Sequence, residues 1–265
     1  MEFVKMHGNG NDFIIFDEFK NILVSEEKKS KFVRVVCDRN FGIGADGAIF
    51  VQNSKVANAK FRYFNRDGSE AAMCGNGIRC FARYVVEKGY AKEGKISVET
   101  LANILELDVW KDKKWWIRVE VGRPFYLWSK KMEVGGKVYE VHSTFVGVPH
   151  AVIIVEDLDF DIVPDAKFIR WHPIFPEGTN VNFVKVEKSV LVRTYERGVE
   201  GETLSCGTGS VASAFVARKL NLVGDRVEIK TRGGPLTVEF KDEKAYMIGS
   251  ATKVFEGVLS EEVVF

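Results

Sequence analysis

The sequence is short of several things, and each shortage removes a class of protein. No stretch approaches the roughly 18 consecutive apolar residues that a membrane-spanning helix needs, so no membrane partner is expected. Charge nearly cancels, with 38 Lys and Arg against 37 Asp and Glu. The basic footprint of a nucleic-acid binder is therefore missing, and no nucleic-acid partner is expected. Cysteine is scarce: four residues, Cys37, Cys74, Cys80 and Cys206, are too few for a disulfide scaffold. They contain no C-x-x-C pair and fit no zinc-site spacing, so no metal is expected. The opening MEFVKMHGNGNDF is too polar and too glycine-rich for a secretory signal, which makes the cytoplasm the expected location. Free thiols are the default there, and a Cys74–Cys206 disulfide under oxidising conditions stays open. What remains, 46% apolar and 28% charged residues in 265, is the composition of a globular protein of one large domain or two smaller ones.

Helical periodicity is also scarce. Only three segments carry it: a charged amphipathic stretch near Ser25–Arg34 with Ser25 as a candidate N-cap, and the runs after Cys74 and after Cys206. In the second, Ile78, Phe81, Ala82 and Val85 recur at helical spacing and Gly89 is a natural stop. The third has Val211, Ala214 and Phe215 in the same phase and small or apolar residues all round, the mark of a helix buried on every side. Most of the rest reads as short strands, among them Phe13–Phe16, Ala48–Val51, Lys60–Phe64, Ala151–Val155, Asn182–Val186 and Val190–Tyr195. The expected fold class is α/β of the α+β type, with two pseudo-symmetric lobes. Each lobe would be a curled, mostly antiparallel sheet around one central helix. The expected boundaries are 1–117 for the first lobe, rejoined by 252–265, and 118–251 for the second.

Two lobes are expected because one phrase occurs twice, as Cys74-Gly75-Asn76-Gly77 and Cys206-Gly207-Thr208-Gly209. A glutamate stands four residues before each cysteine, Glu70 and Glu202. A shift of about 132 residues brings the halves into register, with Tyr63-Phe64-Asn65-Arg66 falling near Thr194-Tyr195-Glu196-Arg197. Asn11-Asp12-Phe13-Ile14 falls roughly on Pro149-His150-Ala151-Val152. Taken singly, either cysteine is more readily a small core residue than a reactive one; the duplication is what points to chemistry. Cys37 and Cys80 read as core.

A cysteine at the N-cap of a helix has its thiolate stabilised by the helix dipole and the unpaired N–H groups, which lowers its pKa. Glycines after it let backbone N–H groups approach an anion. Two such copies facing one another would hold one carboxylate with a thiol on either side of its α-carbon. One thiolate removes a proton, the other thiol returns one to the opposite face, and the converging donors stabilise the carbanion. No pyridoxal-type lysine signature stands out, which fits chemistry without a cofactor. Gly42-Ile43-Gly44-Ala45-Asp46-Gly47 matches a dinucleotide fingerprint but follows a helix and leads into a strand, the reverse of what that motif requires. It reads as a structural turn. His150 is a turn histidine after Pro149 or a site group, and Glu196-Arg197 is a solvated pair or part of the site. Asn11, Asn65 and Asn180 lie in turn contexts that favour asparagine in any case.

The segments KMHGNGNDFIIFD, DRNFGIGADG, FNRDGSEAAMCGNGIRCFARYV, VGVPHAV, GTNVNFV and YERGVEGETLSCGTGSVASA resemble those of diaminopimelate epimerases over essentially the whole chain. Proline racemases resemble it less, usually having histidine where Asn76 stands, and the phenazine-type isomerases share the fold without the cysteine pair. The resemblance implies a homodimer, no cofactor or metal, and interconversion of LL- and meso-2,6-diaminopimelate as the small-molecule substrate, in lysine and peptidoglycan precursor synthesis. It makes Cys74 and Cys206 the acid–base pair, with Cys206 accepting and Cys74 donating in the LL-to-meso direction. Gly75, Asn76, Gly207 and Thr208 would hold the reacting carboxylate. Asn11, Asn65, Asn180, Glu196 and Arg197 would bind the amino groups and the distal carboxylate, and His150 and Glu196 would support the protonation states of the thiols. One departure stands out: members commonly have asparagine before the Pro-His, and this chain has Val148. Activity towards other amino acids, or binding without catalysis, are the alternatives.

Overall fold

The computed structural model describes residues 1–263, so the last two residues of the expected returning tail lie outside the described residues. The chain separates into two compact units, Met1–Val119 with a segment returning from Gly249, and Glu120–Ile248. In chain order the first unit runs β1 (Glu2–Gly8), β2 (Asn11–Glu18), α1 (Glu26–Val36), β3 (Gly47–Gln52), β4 (Ala59–Asn65), β5 (Glu70–Ala71), α2 (Gly75–Glu87), β6 (Gly94–Glu99), β7 (Ile104–Lys111) and β8 (Trp115–Gly122). The second follows with β9 (Phe125–Val134), β10 (Lys137–Phe145), β11 (Pro149–Ile154), α3 (Val163–Arg170), β12 (Asn180–Val186), β13 (Val190–Glu196), β14 (Gly201–Thr203), α4 (Gly207–Lys219), β15 (Arg226–Thr231), β16 (Gly234–Lys241) and β17 (Lys244–Ser250). The segment β18 (Thr252–Val258) then pairs with β1.

The two units repeat one topology. In the first, β18–β1–β2 pair antiparallel, β2 and β3 run parallel with α1 as the crossover, and β3–β4 return antiparallel. Then β4 pairs antiparallel with β5 and parallel with β6, followed by antiparallel β6–β7–β8. The second repeats this with β9 in the place of β18, then β10, β11, α3, β12, β13, β14, β15, β16 and β17.

Register fixes the correspondence residue by residue. Tyr63 lies opposite Ala71 and Phe64 opposite Glu70, as Thr194 lies opposite Thr203 and Tyr195 opposite Glu202. Asn65-Arg66 therefore occupies the place of Glu196-Arg197, in line with the overlay. At the start of the lobes the overlay was one residue out. Phe13 pairs with Gly47 and His150 with Asn180, so His150 stands where Phe13 does and Val148 where Asn11 does. His150 is a strand residue, not a loop residue.

Each sheet is covered on both faces, which explains the unbroken apolar runs in its parallel strands. In β2, Phe13 and Ile15 point to α2, while Ile14 and Phe16 pack with Phe32 and Val36 of α1. In the second unit α4 sits among Val152, Val184 and Val192, and α3 covers Ala151, Ile153, Val181 and Phe183 on the other face. Both central helices are buried over most of their length, with Phe215 of α4 partly exposed and Glu87, Arg218 and Lys219 exposed in the last turns. The repeated glutamates have a structural task. Glu70 takes both Nε and Nη2 of Arg62, and Glu202 takes both from Arg193 at 2.7 Å, each clamping the strand that leads to its cysteine loop. Among the described residues no helix is long and apolar enough to cross a membrane.

Candidate active site

Cys74 is the N-cap of α2 and Cys206 the N-cap of α4, both with extended backbone, as their sequence context predicts. In each, the sulfur accepts the third N–H of its helix: Gly77 N at 3.4 Å and Gly209 N at 3.3 Å. Gly75-Asn76 and Gly207-Thr208 are the first two residues of their helices, whose N–H groups have no partner within the helix. Each unit thus carries the same half-site: a sulfur beside backbone donors suited to a carboxylate.

Around that common element the two half-sites differ. In the first, Asn11 Oδ1 accepts from the Cys74 thiol at 3.7 Å and from Asn76 Nδ2 at 3.3 Å. The Asn11 amide is turned this way because its Nδ2 donates to Asp46 Oδ2 at 2.8 Å. Asp46 is in turn held by Arg39 at 2.8 Å, which also takes Asp12. Asp46 belongs to the glycine-rich turn and links it to the thiol through Asn11. Burial works against the charge on Asp12, but Arg39 and Lys5 hold its carboxyl well below the usual range. Asn65 sits at the end of β4, accepting from Tyr63 Oη at 2.8 Å and donating to Ser69 Oγ at 3.1 Å.

In the second half-site the thiol is buried and faces different company. Burial pushes the Cys206 thiol up, the negative charge of Glu196 pushes it further, and the bonds from Thr208 and Gly209 only partly offset this. The expectation of a lowered pKa at this helix N-terminus is therefore not met at Cys206, because loss of hydration outweighs the helix end. Cys206 rests as a thiol. Glu196 is oriented by Thr203 Oγ1, which donates to its Oε1. Asn180 accepts from the Arg197 backbone N–H at 2.9 Å and donates to the Pro149 carbonyl at 3.1 Å, tying the two loops together. Arg197 Nη1 donates to the Glu177 carbonyl at 3.2 Å.

His150 is fully buried, and it does not bond Cys206. Its Nδ1 meets Asn182 Nδ2 at 3.2 Å; Asn182 also donates to the Ala151 carbonyl at 3.0 Å and accepts from Thr194 Oγ1 at 2.9 Å. With Thr194 donating to Oδ1, Nδ2 is the donor to His150, which places the imidazole proton on Nε2. That Nε2 has no partner among the described residues. The chain Thr194–Asn182–His150 takes the places of Tyr63, Ile49 and Phe13 in the first unit, so one lobe is polar where the other is apolar. Gly209 is required beside it, since a Cβ there would lie 2.4 Å from Asn182 Oδ1. Asp46, Asn182 and Thr203 were not singled out in the sequence, although each lay in a segment that carries the family resemblance: DRNFGIGADG, GTNVNFV and YERGVEGETLSCGTGSVASA.

Burial, and then the charge of Arg197, lower His150 to about 3. The imidazole is therefore neutral near pH 7 and offers an uncharged donor, not a cation. An unfolded histidine binds a proton below its ordinary 6.5, whereas the folded one binds it only near 3. Stability from this group is full above that ordinary value and is lost as pH falls through the window between them. The expected slope is on the order of 1.4 kcal/mol per pH unit. Urea titrations at pH 6.5 and 4.5 should show it for the native protein and show it reduced for His150→Phe. Parallel losses in the two proteins would contradict this.

Solved structures that share this architecture are of low sequence identity to the chain. A phenazine biosynthesis protein of the PhzF family from Bacillus anthracis superposes with a TM-score of 0.79 at 18% identity, over 98% of this chain and 99% of that one. A probable proline racemase from Agrobacterium radiobacter K84 gives 0.70 at 15% identity, over 98% and 93%. These define the fold as the two-lobed α/β fold of that group. Sequence goes further. The profile of the diaminopimelate epimerase family matches residues 3–127 and 143–254. A diaminopimelate epimerase from Archaeoglobus fulgidus is 56% identical over 268 residues, covering 97% of this chain and 95% of that one. Another from Methanothrix thermoacetophila is 50% identical over 275 residues, covering 100% and 98%. The chain is an isomerase of the epimerase class. It belongs to the diaminopimelate epimerase family.

Proposed function

We propose that the protein interconverts LL- and meso-2,6-diaminopimelate by a two-thiol acid–base mechanism without a cofactor, supplying precursors of lysine and peptidoglycan. The observation that carries this reading is the pair of cysteines at the N-caps of equivalent helices, α2 and α4, in two units of the same topology. The reacting carboxylate would rest on the N–H groups of Gly75-Asn76 and Gly207-Thr208, which stabilise the charge that builds up when the α-proton leaves. In the LL-to-meso direction Cys206, once deprotonated, takes the α-proton, with Glu196 supporting its protonation state, and Cys74 returns a proton to the other side of the carbon. Neutral His150 donates through Nε2 and carries no charge of its own into the site. Arg197 would pair with the distal carboxylate, and Asn11, Asn65, Asn180 and Glu196 would orient the amino groups. The working form would be a cytoplasmic homodimer that binds no nucleic acid.

A second reading, wider amino-acid specificity, is favoured by Val148, an apolar side chain in the place that Asn11 fills in the other unit. One experiment addresses both: LL-diaminopimelate and L-lysine are incubated with the enzyme in D2O, and α-deuterium and stereochemistry are followed. Diaminopimelate should gain one α-deuterium per inversion. Absence of label in diaminopimelate would overturn the main reading, and label in lysine would establish the wider one.

A further inference from the structure

Arg79, on the first unit's central helix, is completely buried and has no acidic partner among the described residues. Its Nη2 donates to Asn9 Oδ1 at 2.9 Å and to Asn76 Oδ1 at 2.5 Å, while Nε and Nη1 find no partner among the described residues. The fold makes room for it at some expense. A Cβ on Gly249 would lie 1.5 Å from Nη1, and one on Gly8 would lie 2.9 Å from Nη2. In the second unit the same helix position holds Val211, an ordinary core residue. Burying a cation with no carboxylate partner is costly. A protein whose other half does without it has a use for the charge.

The surroundings say what that use is. Burial pushes the pKa of Arg79 down, yet a guanidinium is the last side chain to give up its proton, so the charge stays. The titratable groups whose charge it feels are the thiols of Cys80 and Cys74. Cys80 is wholly buried, and burial pushes its thiol up to about 12, so it remains neutral. Cys74 is only half-buried, at the start of α2, where the backbone N–H groups of the first turn face its sulfur. Arg79 also holds both asparagines that flank this thiol's setting. Asn76 carries the backbone donors, and Asn9 forms the two-residue turn that delivers Asn11, with φ of 53° at Asn9 and 82° at Gly10.

We propose that Arg79 is a positioning residue whose buried charge serves as the counter-ion of the Cys74 thiolate and makes Cys74 a stronger acid than Cys206. The inference deepens the two-thiol reading and rests on it. It accounts for the direction assigned there: Cys206, made a poor acid by burial and by Glu196, is the stronger base towards the α-proton, and Cys74 is the readier donor. After donation the negative charge rests on Cys74 beside Arg79, where it is best balanced.

The test needs no substrate, so its failure is distinct from failure of the epimerase reading. The pH dependence of iodoacetamide alkylation is measured at Cys74 and at Cys206 by peptide mass spectrometry, in the native protein, Arg79→Lys, Arg79→Met and Asn9→Asp. Native Cys74 should be alkylated with a midpoint below that of Cys206. Arg79→Met should move the Cys74 midpoint up by at least one pH unit, a tenfold loss of rate below it, and leave Cys206 in place. Arg79→Lys should restore it. Asn9→Asp keeps the guanidinium but sets a carboxylate against it at a position whose backbone tolerates aspartate. It should give the same upward shift, which covers the case in which Arg79→Met does not fold. A Cys74 midpoint unchanged in Asn9→Asp, or in folded Arg79→Met, overturns the proposal, as does a native Cys74 that titrates with or above Cys206.

Discussion

Replacing Cys206 with serine is expected to slow epimerisation by a factor on the order of 10² to 10⁴ in both directions. In the proposed mechanism each direction uses both sulfurs, one as base and one as acid, so the loss would not be confined to one substrate. A serine hydroxyl in the same pocket is a far weaker acid than a thiol. Burial and the neighbouring Glu196, which already hold the Cys206 proton tightly, would make its alkoxide inaccessible. Cys74→Ser should show a comparable loss. Initial rates from each diastereomer, with the melting temperature recorded beside them, check the expectation. A serine variant that epimerises at the native rate would show that its sulfur takes no part in proton transfer.

The largest effect on stability is expected at Glu18 and Lys29, far from either cysteine in function. Both side chains have no exposure, with Lys29 Nζ 3.0 Å from Glu18 Oε2. Glu18 Oε1 also accepts the backbone N–H groups of Leu23 at 3.1 Å and Val24 at 3.0 Å, closing the loop before α1, and Oε2 accepts from Gln52 at 2.6 Å. Lys29 additionally bonds the Val24 carbonyl and lies over the ring of Phe50. Removing the carboxylate alone, as in Glu18→Leu, leaves the buried ammonium only the exposed Glu26 carboxylate at 3.2 Å as a counter-charge and strands two loop N–H groups, and should cost about 3–5 kcal/mol. The double variant Glu18→Leu with Lys29→Met removes both charges and should regain a substantial part of that loss. Chemical denaturation of the three proteins decides the matter. A double variant no more stable than Glu18→Leu would mean that the loop hydrogen bonds, and not the ion pair, carry the stabilisation.

What could be read from the sequence was whatever is local. Cys-Gly-x-Gly sets an N-cap and its first turn within four residues, so both helices and both thiols were legible. Strands such as Phe13–Phe16 announced themselves because they are buried on both faces. The hairpin of β9 and β10 did not, since Lys130, Lys131, Glu133, Lys137 and Glu140 break up its apolar pattern. Its one clear mark is Gly135-Gly136, both with positive φ, a two-residue turn. The helix α3 has only eight residues and a proline in its first turn, too short for a periodic pattern to emerge. His150 was placed one residue out because a slip of one along a strand swaps the sheet face while leaving the composition nearly unchanged. Arg79 was illegible for a different reason. A charged residue in an amphipathic helix is expected on its wet side, and only the surrounding strands reveal that Arg79 lies away from the side of α2 where Arg83 and Glu87 reach solvent.

The pairing of β18 with β1 bears on how the protein is made. Glu2 lies opposite Val258, so the edge of the first unit's sheet is completed by residues that leave the ribosome after everything between them. The second unit, continuous from Glu120 to Ile248, has all its strands in hand earlier. Closing the first unit carries the loop entropy of nearly the whole chain. The guanidinium of Arg79 is also packed directly against Gly249, which arrives just as late. A nascent chain stalled before Gly249 would therefore hold the Cys206 half-site within a complete sheet while Cys74 still sat in an unfinished one.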